Sequence, residues 1–286
     1  MRTYYDVVII GAGPAGIFAA MELIRNQADL SILLVDKGRS LAKRICPARK
    51  TGVCHSCDPC AITSGFSGGG AFSDGKLSLA PSVGGRLTDY LPEQTVQRLI
   101  DYADGIYQEF GAPDIIYGLN ERAVDDIMYE ASKHNIQLIP CPVRHLGTDA
   151  SLVVLQAMYD YLMIQSNFEF SELTSVLQIL SDSGKVTGVR LQRKGEAPLE
   201  VDARYVIAAA GRGGAAWFLA ESRRIGLKTE NNEVDIGVRV EVPNAIMDHL
   251  TKDLYEAKLV YYSDTFDNRV RTFCMNPGGI VSEERY

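Results

Sequence analysis

Two short apolar runs, Val7-Val8-Ile9-Ile10 and Leu33-Leu34-Val35, bracket an apolar, helix-like stretch. The pattern predicts strand, helix, strand. The first strand joins the helix through Gly11-Ala12-Gly13-Pro14-Ala15-Gly16, and the second strand ends on Asp36. After Asp36 the periodicity disappears. A basic, Cys-rich segment, 39–60, and a Gly-rich segment, 65–77, follow. Both predict loops, and loops of this length are commonly functional or disordered.

Helical spacing returns at 92–110, where Val96, Leu99, Ala103, Ile106, Tyr107 and Phe110 recur at three- and four-residue steps and Gly111 and Pro113 stop the element. Asn120 predicts the cap of a second helix carrying Val124, Ile127, Met128 and Ala131. Residues 136–139 predict a strand. Asp149 predicts the cap of a third helix with Leu152, Leu155, Met158, Tyr159 and Leu162. The Tyr and Met positions in these helices read as core. Then come strands at 176–180, 186–193 and 199–201, separated by Asp182-Ser183-Gly184-Lys185 and a break at 195–198. This three-stranded meander leads into Tyr205-Val206-Ile207-Ala208-Ala209-Ala210-Gly211-Arg212, a buried strand ending in small residues.

A chain of 286 residues, 46% hydrophobic and 23% charged, suits a soluble protein of one large or two ordinary domains. A net charge of −7 argues against a nucleic-acid partner. Residues 7–24 contain Pro14, three glycines and Glu22, which excludes a membrane span there, and they lack a signal-peptide pattern. The expected setting is cytoplasmic, with no membrane partner.

A glycine triplet in the order strand, turn, helix, with an acid closing the next strand, is the pattern of a dinucleotide-binding unit. Gly11 permits the turn, Gly13 admits a pyrophosphate to the backbone, and Gly16 lets helix and strand pack closely. Asp36 suits a ribose hydroxyl and would repel a 2′-phosphate, which disfavours NADP at this site.

The opening unit, Asp36, the meander and the Ala-Ala-Ala-Gly return strand resemble FAD-binding flavoproteins of the glutathione-reductase type. The stretch Gly68-Gly69-Gly70-Ala71-Phe72-Ser73-Asp74-Gly75-Lys76-Leu77 resembles, more narrowly, a group of prokaryotic FAD-dependent dehydrogenases. Cys54-x-x-Cys57-x-x-Cys60, residues 145–149, 210–214, 235–241 and 273–279 match that group as well. Asn276 departs from it, since members tend to have Cys there. Flavoproteins of this type also end on a late Gly-Asp-Gly-like segment that serves the ribityl chain and the flavin ring. It does not occur before Tyr286, so the chain looks like the N-terminal portion of a longer protein and is expected to hold FAD weakly.

The resemblance implies FAD on Gly11, Gly13, Pro14, Ala15, Gly16, Asp36 and Lys37, with Ala210, Gly211 and Arg212 near the pyrophosphate. It implies a flavin-side cradle containing Gly69, Gly70 and Ser73. Asp74 and Lys76 are the charged groups of that loop, with a catalytic role set against a solvated surface loop. His145 is a candidate proton donor or a structural hydrogen-bond donor. Arg239, in the strand-like 237–242, is a candidate clamp for an acidic substrate or a solvated side chain. Cys46, Cys54, Cys57 and Cys60, with His55 among them, have spacing that suits zinc or an iron–sulfur cluster. Redox-active thiols and plain loop cysteines are the alternatives. Cys141 and Cys274 read as core.

The expected fold is α/β. It has a Rossmann-like FAD domain from 1–90 and 171–230 with a β-meander, an inserted helical region at 91–170, and the start of a substrate domain at 231–286. The expected function is an FAD-dependent oxidoreductase moving a hydride between flavin N5 and a small-molecule substrate, with NAD(P)H as an optional diffusible reductant. The alternatives are a non-catalytic FAD- or metal-binding remnant and an NAD-dependent dehydrogenase.

Overall fold

The computed structural model describes residues 1–27, 29–231, 233–279 and 283. In chain order its elements are β1 (Tyr4–Ile10), α1 (Pro14–Asn26), β2 (Ile32–Val35), α2 (Ala48–Thr51), β3 (Lys76–Ser78), α3 (Glu93–Glu109) and β4 (Ile116–Tyr117). Next are α4 (Glu121–Ser132), β5 (Ile136–Ile139), β6 (Val143–His145), α5 (Thr148–Met163), β7 (Phe168–Ser171), β8 (Thr174–Asp182) and β9 (Lys185–Arg193). The chain continues through β10 (Leu199–Ala208), α6 (Ala215–Arg224), α7 (Asn244–Leu254), β11 (Lys258–Tyr262) and β12 (Arg269–Arg271). The chain forms two compact units, one built from Met1–Phe72 and Leu155–Asp235, the other from Ser73–Val154 and Ile236–Val281.

The first unit holds a six-stranded sheet in the order β7-β2-β1-β10-β9-β8. Strands β7, β2, β1 and β10 run parallel, while β9 and β8 are antiparallel. The parallel strands β1 and β2 are covered on both faces. That is why they read as unbroken apolar runs with no alternation. Helix α1 packs on β1 and β2 through Ile17, Ala20, Met21 and Ile24. A core of Val8, Ile10, Leu33, Val35, Val189, Leu191 and Val201 joins the parallel strands to the meander, with Trp217 against it. The expected third meander strand and return strand are one strand, β10. Its first residues pair with β9 (Leu199↔Leu191) and its last with β1 (Ala208↔Ile10).

The second unit has two three-stranded sheets, β12-β11-β5 and β3-β6-β4. Val124, Leu138, Leu254 and Ala257 form one core, and Cys141, Val143 and Tyr255 another. Asn120 caps α4 by accepting from the Ala123 amide. A buried ion pair braces this unit: the Arg144 guanidinium donates to both Asp104 oxygens at 2.6 and 2.8 Å and to the Pro113 carbonyl.

Several expectations are corrected. Leu99 and Met128 are exposed, because the apolar stripes of α3 and α4 are broader than the faces their unit covers. Helix α5 begins at Thr148, so Asp149 lies in its first turn. Cys274 is exposed, whereas Cys141 is buried as expected. Residues 237–242 form no strand, since no described strand pairs with them, and Ile236 and Val238 stand 96% and 90% exposed. Arg239 is exposed in this segment. Strand β7 was not legible, because Phe168-Glu169-Phe170-Ser171 is too short to show a period.

Candidate nucleotide turn and acid–base cluster

In the first unit the Gly11 amide donates to the Val35 carbonyl at 2.8 Å, and the Ala209 amide donates to the Ile10 carbonyl at 2.8 Å. The glycine turn is therefore wedged between two strands. Gly11 has φ +102°, and a Cβ there would lie 2.3 Å from the Ala209 oxygen. A Cβ on Gly16 would lie 1.9 Å from the Gly11 oxygen. Gly13 differs: a Cβ there meets nothing within 4 Å. Pro14 opens α1, whose first turn has neither a side-chain cap nor an acid. Among the described residues no side chain caps this helix start, which carries a partial positive charge. Asp36 accepts from the Ala12 amide through Oδ2 at 2.9 Å and from the Gly38 amide through Oδ1 at 2.7 Å.

The other predicted nucleotide residues of this unit lie around that turn. Lys37 Nζ donates to the Gly213 carbonyl at 3.2 Å, linking the end of β2 to the Ala210-Gly211-Arg212 turn after β10. Gly211 has φ +58° and open space beside its Cα. The Ser67 amide donates to the Ala12 carbonyl at 2.7 Å, which brings the Gly-rich segment onto the glycine turn. A Cβ on Gly68 would lie 3.4 Å from Gly13 Cα, while Gly69 and Gly70 are open. Ser67 is buried, and its hydroxyl has no hydrogen-bond partner among the described residues.

Arg44, absent from the sequence expectations, fastens this loop. Its guanidinium donates to the carbonyls of Ala61, Ile62 and Phe66 at 3.0, 2.7 and 2.5 Å and lies over the Phe72 ring. Burial pushes its pKa down to about 10. Its only signal was a basic residue in a segment too long to be idle.

The metal expectation finds no support. Among the described residues no group of three or more His, Cys, Asp or Glu side chains is placed to hold a metal ion, and none of Cys46, Cys54, Cys57 and Cys60 forms a disulfide. Helix α2 and its left-handed Gly52 intervene between Cys46 and Cys54. The His55 Nε2 is engaged by the Thr51 hydroxyl at 3.0 Å.

The second unit gathers Asp74, Lys76 and His145. Antiparallel pairing of β3 with β6 sets Lys76 opposite His145. The Leu146 and Gly147 amides donate to the carbonyls of Gly75 and Asp74, closing the loop ahead of α5. Gly75 has φ +67°, and a Cβ there would fall 2.0 Å from Ser151 Oγ. Ser73, by contrast, is exposed, its hydroxyl accepting from the Gly75 amide.

Tyr255, just past α7, connects the trio. Its hydroxyl donates to Asp74 Oδ2 at 3.1 Å and bonds His145 Nε2 at 2.9 Å, and its ring stacks on the imidazole at 4.0 Å. Nothing in the local sequence marked Tyr255, because its left-handed backbone (φ 57°) and burial are set by packing. Lys76 Nζ lies 3.8 Å from Asp74 Oδ2, 2.5 Å from Glu256 Oε2 and 2.9 Å from Cys274 Sγ, and donates to the Met275 carbonyl. Lys258 pairs with the other Glu256 oxygen.

Burial pushes the His145 pKa below its ordinary value, aided by Lys76 and opposed by Asp74. Burial and Asp74 push the Tyr255 phenol well upward. Burial alone would lower Lys76, but Cys274 and Glu256 outweigh it and raise its pKa. The cluster at neutral pH therefore holds a neutral imidazole, a protonated phenol and an ammonium ion.

Residues 6–63 match the family described as lycopene cyclase protein. A Clostridium beijerinckii protein described as uncharacterized is 24% identical over 284 residues, covering 96% of this chain and 45% of that protein. The chain thus spans less than half the length of that relative. Among solved structures, the chain is similar to a 3-ketosteroid-Δ4-(5α)-dehydrogenase from Rhodococcus jostii (16% identity, 72% of this chain, 46% of that one, TM-score 0.46). It is also similar to an L-amino acid deaminase from Proteus vulgaris (14% identity, 77% and 56%, TM-score 0.44). A third is a glycine oxidase from Geobacillus kaustophilus (17% identity, 79% and 60%, TM-score 0.41). Among the described residues no helix is long and apolar enough to cross a membrane.

Proposed function

We propose that the chain is the nucleotide-binding part of an FAD-dependent oxidoreductase acting on a small molecule. The observation that carries this reading is the contrast within the glycine turn. Gly11 and Gly16 are closed by neighbouring backbone, whereas Gly13 faces open space at an uncapped helix start. A pyrophosphate fits such a place, because backbone N–H groups and the helix dipole both favour an anion there. The unpartnered Ser67 hydroxyl beside the same turn also fits a bound polar group.

Backbone groups of Gly13, Ala15 and Gly16 would hold the pyrophosphate. Asp36 has lone pairs left for a ribose hydroxyl after accepting from two amides. Lys37 braces the Ala210–Arg212 turn, where small residues keep the backbone approachable. FAD, when bound, supplies hydride and electron exchange at its ring. In the second unit the Tyr255 hydroxyl and His145 Nε2 form a donor–acceptor pair able to pass a proton, and Asp74 fixes the phenol. Lys76 contributes positive charge beside Asp74.

The test is titration of the chain with FAD, followed by flavin fluorescence, for the natural sequence and for Gly13→Ala. Saturable binding that weakens at least tenfold in the variant is expected. Absence of saturation in the natural sequence, or equal binding by both, would overturn the proposal.

A further inference from the structure

Cys274 and Lys76 are 198 residues apart in sequence, yet Nζ donates to Sγ at 2.9 Å. The two partners differ in access. The thiol is exposed, whereas the lysine side chain is 10% exposed and held by Glu256 Oε2 and the Met275 carbonyl. An accessible sulfur thus faces an amine that the fold has immobilised. Such contact is the requirement for sulfur–nitrogen bond formation.

We propose that Cys274 and Lys76 form a peroxide-responsive pair that closes to a sulfenamide cross-link. In the first step the Cys274 thiolate attacks hydrogen peroxide. An S–O bond forms, the O–O bond breaks, and hydroxide leaves as water after taking a proton. Sulfur is oxidised by two electrons and the peroxide is reduced, giving the sulfenic acid. In the second step Lys76 gives a proton to Glu256 Oε2, and its freed lone pair attacks sulfur. An S–N bond forms, the S–O bond breaks, and the hydroxyl leaves as water with a second proton from Nζ. No further electrons change hands. The sum is thiol, ammonium ion and peroxide going to sulfenamide, two waters and one proton.

The cross-link neutralises Lys76 and draws it away from Glu256, so Asp74 loses the cation 3.8 Å away. Peroxide would thereby retune the Asp74–Tyr255–His145 cluster. That regulatory consequence rests on the acid–base reading above; the cross-link itself does not.

The experiment exposes the full chain to hydrogen peroxide, alkylates the remaining thiols, and maps peptides by mass spectrometry. The expected product joins the Lys76 and Cys274 peptides, is two hydrogens lighter than their sum, and is split by dithiothreitol. It is absent from Cys274→Ser and from Lys76→Arg, and Cys274 of the latter is trapped by dimedone as sulfenic acid. Absence of the joined peptide in the natural sequence, or Cys274 recovered in a disulfide in both it and Lys76→Arg, would overturn the proposal. Circular dichroism of the variants confirms their folding. FAD titration of the same untreated samples tests the nucleotide site separately, so either reading can fail alone.

Discussion

The carboxylate of Asp36 is bound to the amide of Ala12 at 2.9 Å, so the acid that ends β2 holds the glycine turn that ends β1. The same carboxylate accepts from Gly38, which fixes both of its oxygens before any ligand arrives. Turn geometry is thus held by the side chain to which the proposed ribose contact is assigned.

Gly16→Ala and Gly13→Ala should separate folding from binding. The added carbon at 16 overlaps the Gly11 oxygen, and overpacking of this kind costs about 1–3 kcal/mol. At 13 the carbon meets only open space, so the melting temperature should stay near that of the natural protein while FAD affinity falls. Equal thermal stability for both variants would contradict this account of the turn.

The Arg144–Asp104 pair should behave as a unit. Arg144→Met leaves a buried carboxylate without its partner and should cost about 3–5 kcal/mol in urea unfolding. The double variant Arg144→Met with Asp104→Leu should cost clearly less than the two single changes added together. Simple additivity would refute the coupling.

His145 should titrate below its ordinary value, as its imidazole proton shifts will report. A base depressed by folding binds its proton more readily when unfolded. Its contribution to stability is therefore fully present above the ordinary value of 6.5 and is lost as pH falls through the folded value. His145→Gln should flatten that part of the stability curve. A titration midpoint above 6.5 would exclude the proposed balance between burial and Asp74.

Glu172 acts at lower pH. Burial alone would raise it, but Lys43 at 2.5 Å and the Ser40 amide at 2.6 Å lower it to about 2. Its contribution is present above the ordinary 4.5 and is lost as pH falls toward about 2. Glu172→Gln should reduce stability at neutral pH and shrink the difference from the natural chain in acid, as measured by chemical denaturation at several pH values.

The glycine turn, Asp36, α1, α3 and the meander were legible because each depends on local spacing. The polar trio Asp74, Lys76 and His145 was legible only as separate residues. What unites it, Tyr255, comes from an irregular backbone set by long-range packing. The cysteine spacing suggested convergence on a metal, but among the described residues no such group forms, and a helical turn separates Cys46 from Cys54. Arg44 was hidden because its partners are carbonyl groups, which have no sequence signature. Residues 237–242 look strand-like but form no strand, which needs a neighbour that sequence pattern does not supply.

That segment has a practical consequence. Val234, Ile236, Val238 and Val240 form an exposed apolar edge of the chain, with Asp235, Gly237 and Arg239 between them. Such an edge is a template for pairing with any other unsatisfied backbone, including another copy of itself. Concentrated solutions of this chain should therefore scatter light increasingly with time, and Ile236→Lys, which places a charge in the middle of the apolar row, should slow the process. The colloidal behaviour of the whole molecule would then follow from a short segment, 234–241, that contributes nothing to its buried core.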